Sequence, residues 1–248
     1  MNTTIDINCD LGEGLNNESE LMPYISSCSI ACGGHAGSKR TIRQVIDLAV
    51  ANGVKVGAHP SFPDRANFGR IRLDIPFMEL KRSIEEQLAL ILQICEEKEV
   101  PMNHVKPHGA LYNLAANDRS YAELLVSIVK MSAPKSKLYV PYHSVIHQVA
   151  MKEGIDCVVE AFADRNYNSD YSLVSRNKEN ALISHPEELL KHLLRMFEEQ
   201  QIRCHDDTIL PIEADTFCVH GDNPKAAEIL QFISDQLTEK SIKVAKQN

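Results

Sequence analysis

The sequence has no run of apolar residues approaching the length of a membrane span, which excludes a bilayer-crossing helix. It has no excess of positive charge either. Against 34 Asp and Glu stand 26 Lys and Arg, the net charge is −8, and no basic patch interrupts that balance. Such a chain is a poor ligand for nucleic acid. The first residues, Met1-Asn2-Thr3-Thr4, lack a basic start followed by an apolar stretch and read as lacking a signal peptide. No Gly/Ser linker, composition break or internal repeat divides the chain. It therefore reads as one catalytic domain over 1–248, with a basic tail that frays from about residue 240. Several familiar motifs are missing. There is no His-Glu-x-x-His zinc motif and no Gly-x-Ser-x-Gly nucleophile elbow, and the stretch Gly33–Thr41 fails the Walker pattern because Ser38 stands where glycine should precede Lys39. The seven cysteines are an odd number without zinc-site spacing. Most lie in apolar runs and read as small buried hydrophobes in a reducing cytoplasm.

What is present is an ordinary globular composition, 44% apolar and 24% charged, on a chain of 248 residues that can bury one large core. Seven short apolar runs punctuate it, and most end in a group that can do chemistry. Residues 3–9 run into Asp10 and Glu13, 27–32 into Gly33-Gly34-His35, 54–58 into His59, and 102–105 into Lys106-Pro107-His108. Residues 138–142 run into His143, 157–163 into Asp164-Arg165, and 216–219 into His220-Gly221-Asp222. Helix-like patterns alternate with these runs over 39–52, 77–95, 118–132 and 144–153. In the second, Phe77, Leu80, Ile84, Leu88, Ile91 and Cys95 form the stripe, with Glu85, Glu86, Gln87 and Gln93 off it. Two more helices follow, one capped by Ser184 with Glu187 and one entered through Asn223-Pro224.

Strand–helix alternation implies an α/β fold with a parallel sheet and right-handed crossovers. Side-chain parity then separates an open sheet from a closed one. Asp6, Asn8 and Asp10 share one strand face; so do Lys55 and His59, His104, Lys106 and His108, and Glu160 and Asp164. Strands of an open doubly wound sheet are apolar on both faces. One polar face on several strands fits an irregular barrel of about seven parallel strands with a polar lumen, the alternative being an open sheet with polar residues only at its strand tips. Active sites of such folds sit at the carboxyl ends of the strands.

The segment His104–Asn113 carries the sharpest chemical signal. Two imidazoles and an ammonium on one face would repel if all were charged, so they need carboxylate partners or titrate low. His104, deepest in the strand, reads as a hydrogen-bonded core histidine. Lys106 and His108 read as functional, able to hold an oxyanion and to act as a base. Asp10 and Glu13 can bind a metal or act as a base, or they can simply organise a turn between glycines. Glu160 and Asp164 are candidate partners for Lys106 or His108. Arg165 either grips a carboxylate or phosphate or pairs with Asp164 or Asp170. The glycine-rich turn at Gly33 onto a helix start can bind an anion. Asp10, His59 and His108, on three strand ends, can converge on a metal, although spacing leaves a bound metal unknown.

Six motifs occur in order: Asp6–Glu13, Ile30–Gly37, Gly57–Asp64 with Phe68-Gly69-Arg70, His104–Asn113, Glu160–Arg165 with Tyr167, and Val219–Asp222. Together they resemble the LamB/YcsF family over nearly the whole chain, to about residue 237. The resemblance implies a deformed barrel of the glycoside hydrolase/deacetylase-like superfamily. It implies one component of a cytoplasmic ATP-dependent 5-oxoprolinase, converting 5-oxoproline, ATP (with Mg) and water to glutamate, ADP and phosphate together with two partner subunits. The matched motifs carry Asp10, His59, Lys106, His108 and Glu160 as catalytic groups, and Glu13, His35, Asp64, Arg70, Asp164, Arg165 and His220 as substrate- or phosphate-binding groups. Three positions depart from the family pattern: Gly34 where an aromatic residue is usual, Ser38 where Asp is usual, and Asn67 where Gly is usual. They are expected to widen the pocket or alter a loop, and so to bear on substrate choice. Two other readings fit the same barrel. One is a metal-dependent deacetylase or glycan hydrolase that needs no ATP; the other is a non-catalytic subunit that binds the small ligand.

Overall fold

A computed structural model describes residues 4–223 and 225–247. A two-residue strand, β1 (Thr4–Ile5), leads into seven parallel strands that close into a barrel. These are β2 (Ile7–Leu11), β3 (Ser27–Ala31), β4 (Lys55–His59), β5 (Met102–Val105), β6 (Lys137–Pro141), β7 (Cys157–Phe162) and, after an antiparallel pair β8 (Gln201–Arg203) and β9 (Ile209–Pro211), β10 (Thr216–Cys218). Around the barrel β10 closes between β7 and β2, pairing Phe217 with Ile7 and with Ala161. The helices are α1 (Glu18–Leu21), α2 (Lys39–Ala51), α3 (Phe77–Glu97), α4 (Gly109–Asn117), α5 (Arg119–Ser132), α6 (Val145–Lys152), α7 (Pro186–Glu198) and α8 (Ala226–Glu239). Among the described residues no helix is long and apolar enough to cross a membrane.

Parity sets what each strand face does. Ile5, Ile7 and Cys9 point outward into the apolar layer under the helices, where each fully buried aliphatic side chain contributes about 1.5–3 kcal/mol. The opposite face fills the lumen with polar groups that satisfy one another. At the amino-terminal end Asp6 pairs with Lys55 (3.2 Å) and accepts from Thr216 Oγ1 (2.6 Å). One layer up, the His104 ring stacks on Tyr139 (centroids 3.9 Å apart), with Nε2 3.1 Å from Ser29 Oγ. Burial pushes His104 down to about 3, so it is the neutral core histidine expected. It fits only because β4 carries Gly57 opposite: a Cβ there would stand 2.2–2.4 Å from the ring.

Helix starts follow their caps. Ser38 Oγ accepts from Thr41 N, Asp118 from Ser120 N and Ser144 Oγ from His147 N. Four expectations are corrected. The capping box at Ser184 does not form; α7 is entered through His185, without a side-chain cap, and Pro186 sets its first turn. The last helix begins at Ala226, with Asn223 Oδ1 accepting from Lys225 N, while Pro224 lies outside the described residues. In α3 the stripe is buried from Leu80 onward, but Phe77 is exposed and Gln87 is buried, where its amide accepts from Ser61 N and donates to Ser61 O. The tail does not fray. Lys243–Val244 forms β11 beside β1, Lys246 Nζ donates to the Met22 and Ile25 carbonyls, and Gln247 N donates to Gly53 O. A charge pattern that looks disordered is held by backbone carbonyls left open elsewhere in the fold.

Candidate active site

The carboxyl ends of the strands open into a cavity of about 680 Å³. Its floor is Lys106. Beyond β5 the chain stays tied to β4, with Lys106 N donating to Ala58 O and His108 N to Pro60 O. Both side chains therefore continue the lumen parity. The Lys106 ammonium is 2% exposed. It lies 2.7 Å from Glu160 Oε1, 2.9 Å from Asp10 Oδ1, 3.1 Å from Asn8 Oδ1 and 3.2 Å from Cys218 Sγ, over the face of Phe162. Burial opposes its charge, but Asp10, Cys218 and Glu160 outweigh that and raise its pKa. Burial likewise opposes ionisation of Asp10, and the Lys106 ammonium outweighs it, holding this carboxyl low. For Glu160 burial wins over Lys106 and its pKa is raised. One carboxylate neutralises the ammonium, and the second is left disposed to hold a proton.

Two imidazoles, His59 and His108, form the wall above with Glu13, and a third, His35, packs behind them. His59 Nδ1 donates to the Lys106 carbonyl at 2.7 Å, and its Nε2 is 2.9 Å from His108 Nδ1 and 3.4 Å from Asp10 Oδ2. His108 Nε2 donates to the Phe68 carbonyl at 2.9 Å. His35 stacks on His108 with centroids 3.7 Å apart, and its Nε2 is 3.0 Å from Glu13 Oε1. Burial pushes His35 and His108 down to about 4 and His59 well below its ordinary range, and it pushes Glu13 up to about 7. The repulsion expected of two imidazoles beside an ammonium is thus relieved in both ways: carboxylates pair the lysine, and the rings stay neutral.

The far wall is His220, which lines the cavity with its backbone N–H and Nδ1 both held by Asp164 at 2.9 Å. Asp164 is accordingly a positioning group for His220, its carboxyl lowered by that imidazole against the effect of burial. Arg70 lines the mouth, paired with Asp222 and lying over Phe68.

Asp10, His59, Lys106, His108 and Glu160 line the one cavity, as strand-end parity requires, and Glu13, Arg70, Arg165 and His220 join them; Asp164, which shares the parity of Glu160, and His35 do not. Besides Asp164, which holds His220, two expected binding residues have other work. Asp64 accepts from Asn67 N and Nδ2, folding the turn that delivers Phe68 to His108; it does not line the cavity. Arg165 is buried and donates from Nε to the Ala181 carbonyl and from Nη2 to the Val174 carbonyl. It clamps the long loop after β7, and among the described residues no ion pair joins it to Asp164 or Asp170. The family departures also have structural readings. Gly34 does not widen the pocket, since a Cβ there would lie 2.4 Å from Ser61 Oγ and 2.5 Å from Gln87 Oε1, a space already filled. Ser38 caps α2, which leaves its hydroxyl engaged rather than offered to an anion. Sequence reasoning missed Tyr112, Tyr142, Tyr171 and Arg176, which line the cavity from α4 and irregular loops where no periodicity marks a face.

The sequence model of the LamB/YcsF family matches residues 5–248. The A-type subunit of 5-oxoprolinase from Histophilus somni (strain 129Pt) is 41% identical over 97% of each chain. Its counterpart from Bacillus cereus (strain Q1) is 39% identical over 93% of this chain and 94% of its own. A crystal structure of the lactam utilization protein from Thermus thermophilus superposes with a TM-score of 0.91 at 34% identity, covering 98% of this chain and 99% of that one.

Proposed function

The chain belongs to the LamB/YcsF family, and on that premise we propose that it serves as one component of a 5-oxoprolinase, opening the lactam of 5-oxoproline to glutamate with ATP and two partner subunits. The observation that carries this reading is the buried ammonium of Lys106 set between Asp10 and Glu160 at the floor of an open cavity. A lactam is resonance-stabilised, and a five-membered one gains little from opening. Phosphorylation of the amide oxygen makes the carbonyl carbon electrophilic; water then adds to it, a base takes the proton, and the C–N bond breaks as nitrogen gains one. The acyl phosphate so formed is hydrolysed by a second water as phosphate leaves, so 5-oxoproline, ATP and two waters balance glutamate, ADP, phosphate and a proton.

Lys106 is suited to hold the developing negative charge on that oxygen in a dry site. Glu13 faces the cavity and, while no cation is bound to it, is suited to take the proton of the attacking water. His220, fixed by Asp164, is suited to protonate the departing nitrogen. Nothing in the chain matches a Walker loop, which supports a division of labour: partner subunits covering the mouth would keep water from a phosphorylated intermediate.

The test is purified chain with ATP, Mg and 5-oxoproline, assayed for glutamate with and without the two partner proteins. Glutamate only on mixing is expected. Efficient ATP-dependent turnover by the lone chain would refute divided labour, and no glutamate from the complete mixture would remove the oxoprolinase reading.

A further inference from the structure

We propose that His59, His108, Glu13 and His35 form a binding site for one divalent transition-metal ion of the zinc type. Hydrogen-bond partners fix which ring nitrogens carry protons. His59 Nδ1 faces the Lys106 carbonyl at 2.7 Å, and His108 Nε2 faces the Phe68 carbonyl at 2.9 Å. A carbonyl oxygen only accepts, so both nitrogens are N–H donors. In a neutral imidazole the other nitrogen then carries a lone pair. Those two atoms, His59 Nε2 and His108 Nδ1, stand 2.9 Å apart. Two lone pairs at that separation repel, and the Lys106 ammonium beside them works against a proton in between. A metal ion is an electrophile that accepts both. Locking the outer nitrogen of each ring to a carbonyl is also how metal-binding histidines are held in the right tautomer.

Two further donors complete a four-fold set. Glu13 Oε1 is 3.5 Å from His108 Nδ1, and His35 Nε2 is 3.0 Å from Glu13 Oε1. All four ligand atoms lie within 4.8 Å of one another. In a tetrahedral site with metal–ligand bonds of about 2.0–2.1 Å, ligand atoms stand about 3.3 Å apart. The separations of 2.9, 3.0 and 3.5 Å bracket that value. His35 is buried, and its Nδ1 has no hydrogen-bond partner among the described residues. Three imidazoles and one carboxylate favour zinc over magnesium or calcium, which prefer oxygen ligands. Asp10, 3.4 Å from His59 Nε2 but engaged by Lys106, adds negative charge beside the ion without leaving its lysine. A second grouping, Asp10 with Cys218 and His220, is unsuitable because the Lys106 ammonium touches both Asp10 and Cys218.

Metal uptake is measured without turnover, so this inference stands or falls apart from the oxoprolinase reading. Protein stripped with a chelator is titrated with ZnCl₂ by calorimetry against a competing chelator, and with CoCl₂ by visible absorption. One equivalent per chain is expected, with a tetrahedral cobalt spectrum and no displacement by excess MgCl₂. Glu13→Gln, nearly isosteric, and His108→Ala should each weaken zinc binding by about 10²-fold or more. Far-UV circular dichroism checks that both variants are folded. His205→Ala, at an exposed histidine, should bind as the parent does. Lack of stoichiometric uptake, preference for Mg²⁺, or unchanged affinity in the folded Glu13→Gln protein would each overturn the assignment.

Discussion

Lys106 is the residue on which the site turns, and its burial changes what its removal should do. At a wet strand end its truncation would leave only water. It is instead enclosed, so Lys106→Ala leaves Asp10 and Glu160 facing each other without a cation. Breaking a buried pair in this way costs about 3–5 kcal/mol. The variant should lose activity and also unfold at lower urea, with one carboxyl protonated. His108 lies nearer the mouth, at 7% exposure. His108→Ala should keep a native circular dichroism spectrum while glutamate formation by the reconstituted enzyme falls by ~10²-fold or more. Gly57 gives a sharper steric test. Gly57→Ala drives a methyl into the His104 ring and should destabilise by about 1–3 kcal/mol or more in urea unfolding. Gly57→Ala combined with His104→Ala should cost less than the sum of the two changes; strict additivity would mean the ring is not what the glycine accommodates.

At the scale of elements, the sequence marks the seven barrel strands because each has an apolar outer face and ends in polar residues, two signals with one period. Ile7–Leu11 and Lys55–His59 show both. The amphipathic helices are legible for the same reason. Helix α4 is not, since Leu111, Tyr112 and Ala115 are too few to set a period over nine residues. The β8–β9 pair and β11 are two or three residues long, below the reach of any pattern. Strand β11 matters more than its length suggests. It pairs with β1, Ala245 N donates to Ile5 O, and Lys246 reaches the loop before β3. Burial lowers Lys246 to about 8, the mark of an ammonium held against the protein rather than in solvent. Deleting residues 243–248 removes several hydrogen bonds worth about 0.5–1.5 kcal/mol each, and Lys246→Ala removes those to charged nitrogen. Both should lower the melting temperature, the deletion more. An unchanged melting temperature in the deletion would restore the frayed tail.

At the scale of the whole molecule, the barrel gathers groups that the sequence scatters over more than two hundred positions, and strand-end parity foretells which ones meet. It does not foretell their division into a charged floor and a neutral imidazole wall, because that depends on which carbonyls face which nitrogens. Nor does it separate Asp64 and Arg165, which hold loops, from Glu13 and His220, which face the cavity. Burial of imidazoles leaves a signature in stability as well. His104 is pushed down to about 3 and His192, on the buried face of α7, to about 4. Unfolded histidine titrates near about 6.5. Between that value and the folded one, the unfolded chain binds more protons, so stability rises with pH. The contribution is complete above about 6.5 and is lost as pH falls, by roughly 2 kcal/mol per histidine between pH 7 and 5. Glu13 acts in the opposite sense over much of that range, since a carboxyl raised to about 7 binds its proton more readily in the folded state. Asp10, held low, contributes only at more acid pH. The comparison that isolates one imidazole is therefore parent against His192→Gln, both metal-free, unfolded in urea from pH 7 to 5. The variant should lose less stability than the parent by roughly 2 kcal/mol over that interval. Equal losses would mean that His192 takes up its proton in the folded barrel as readily as in the unfolded chain.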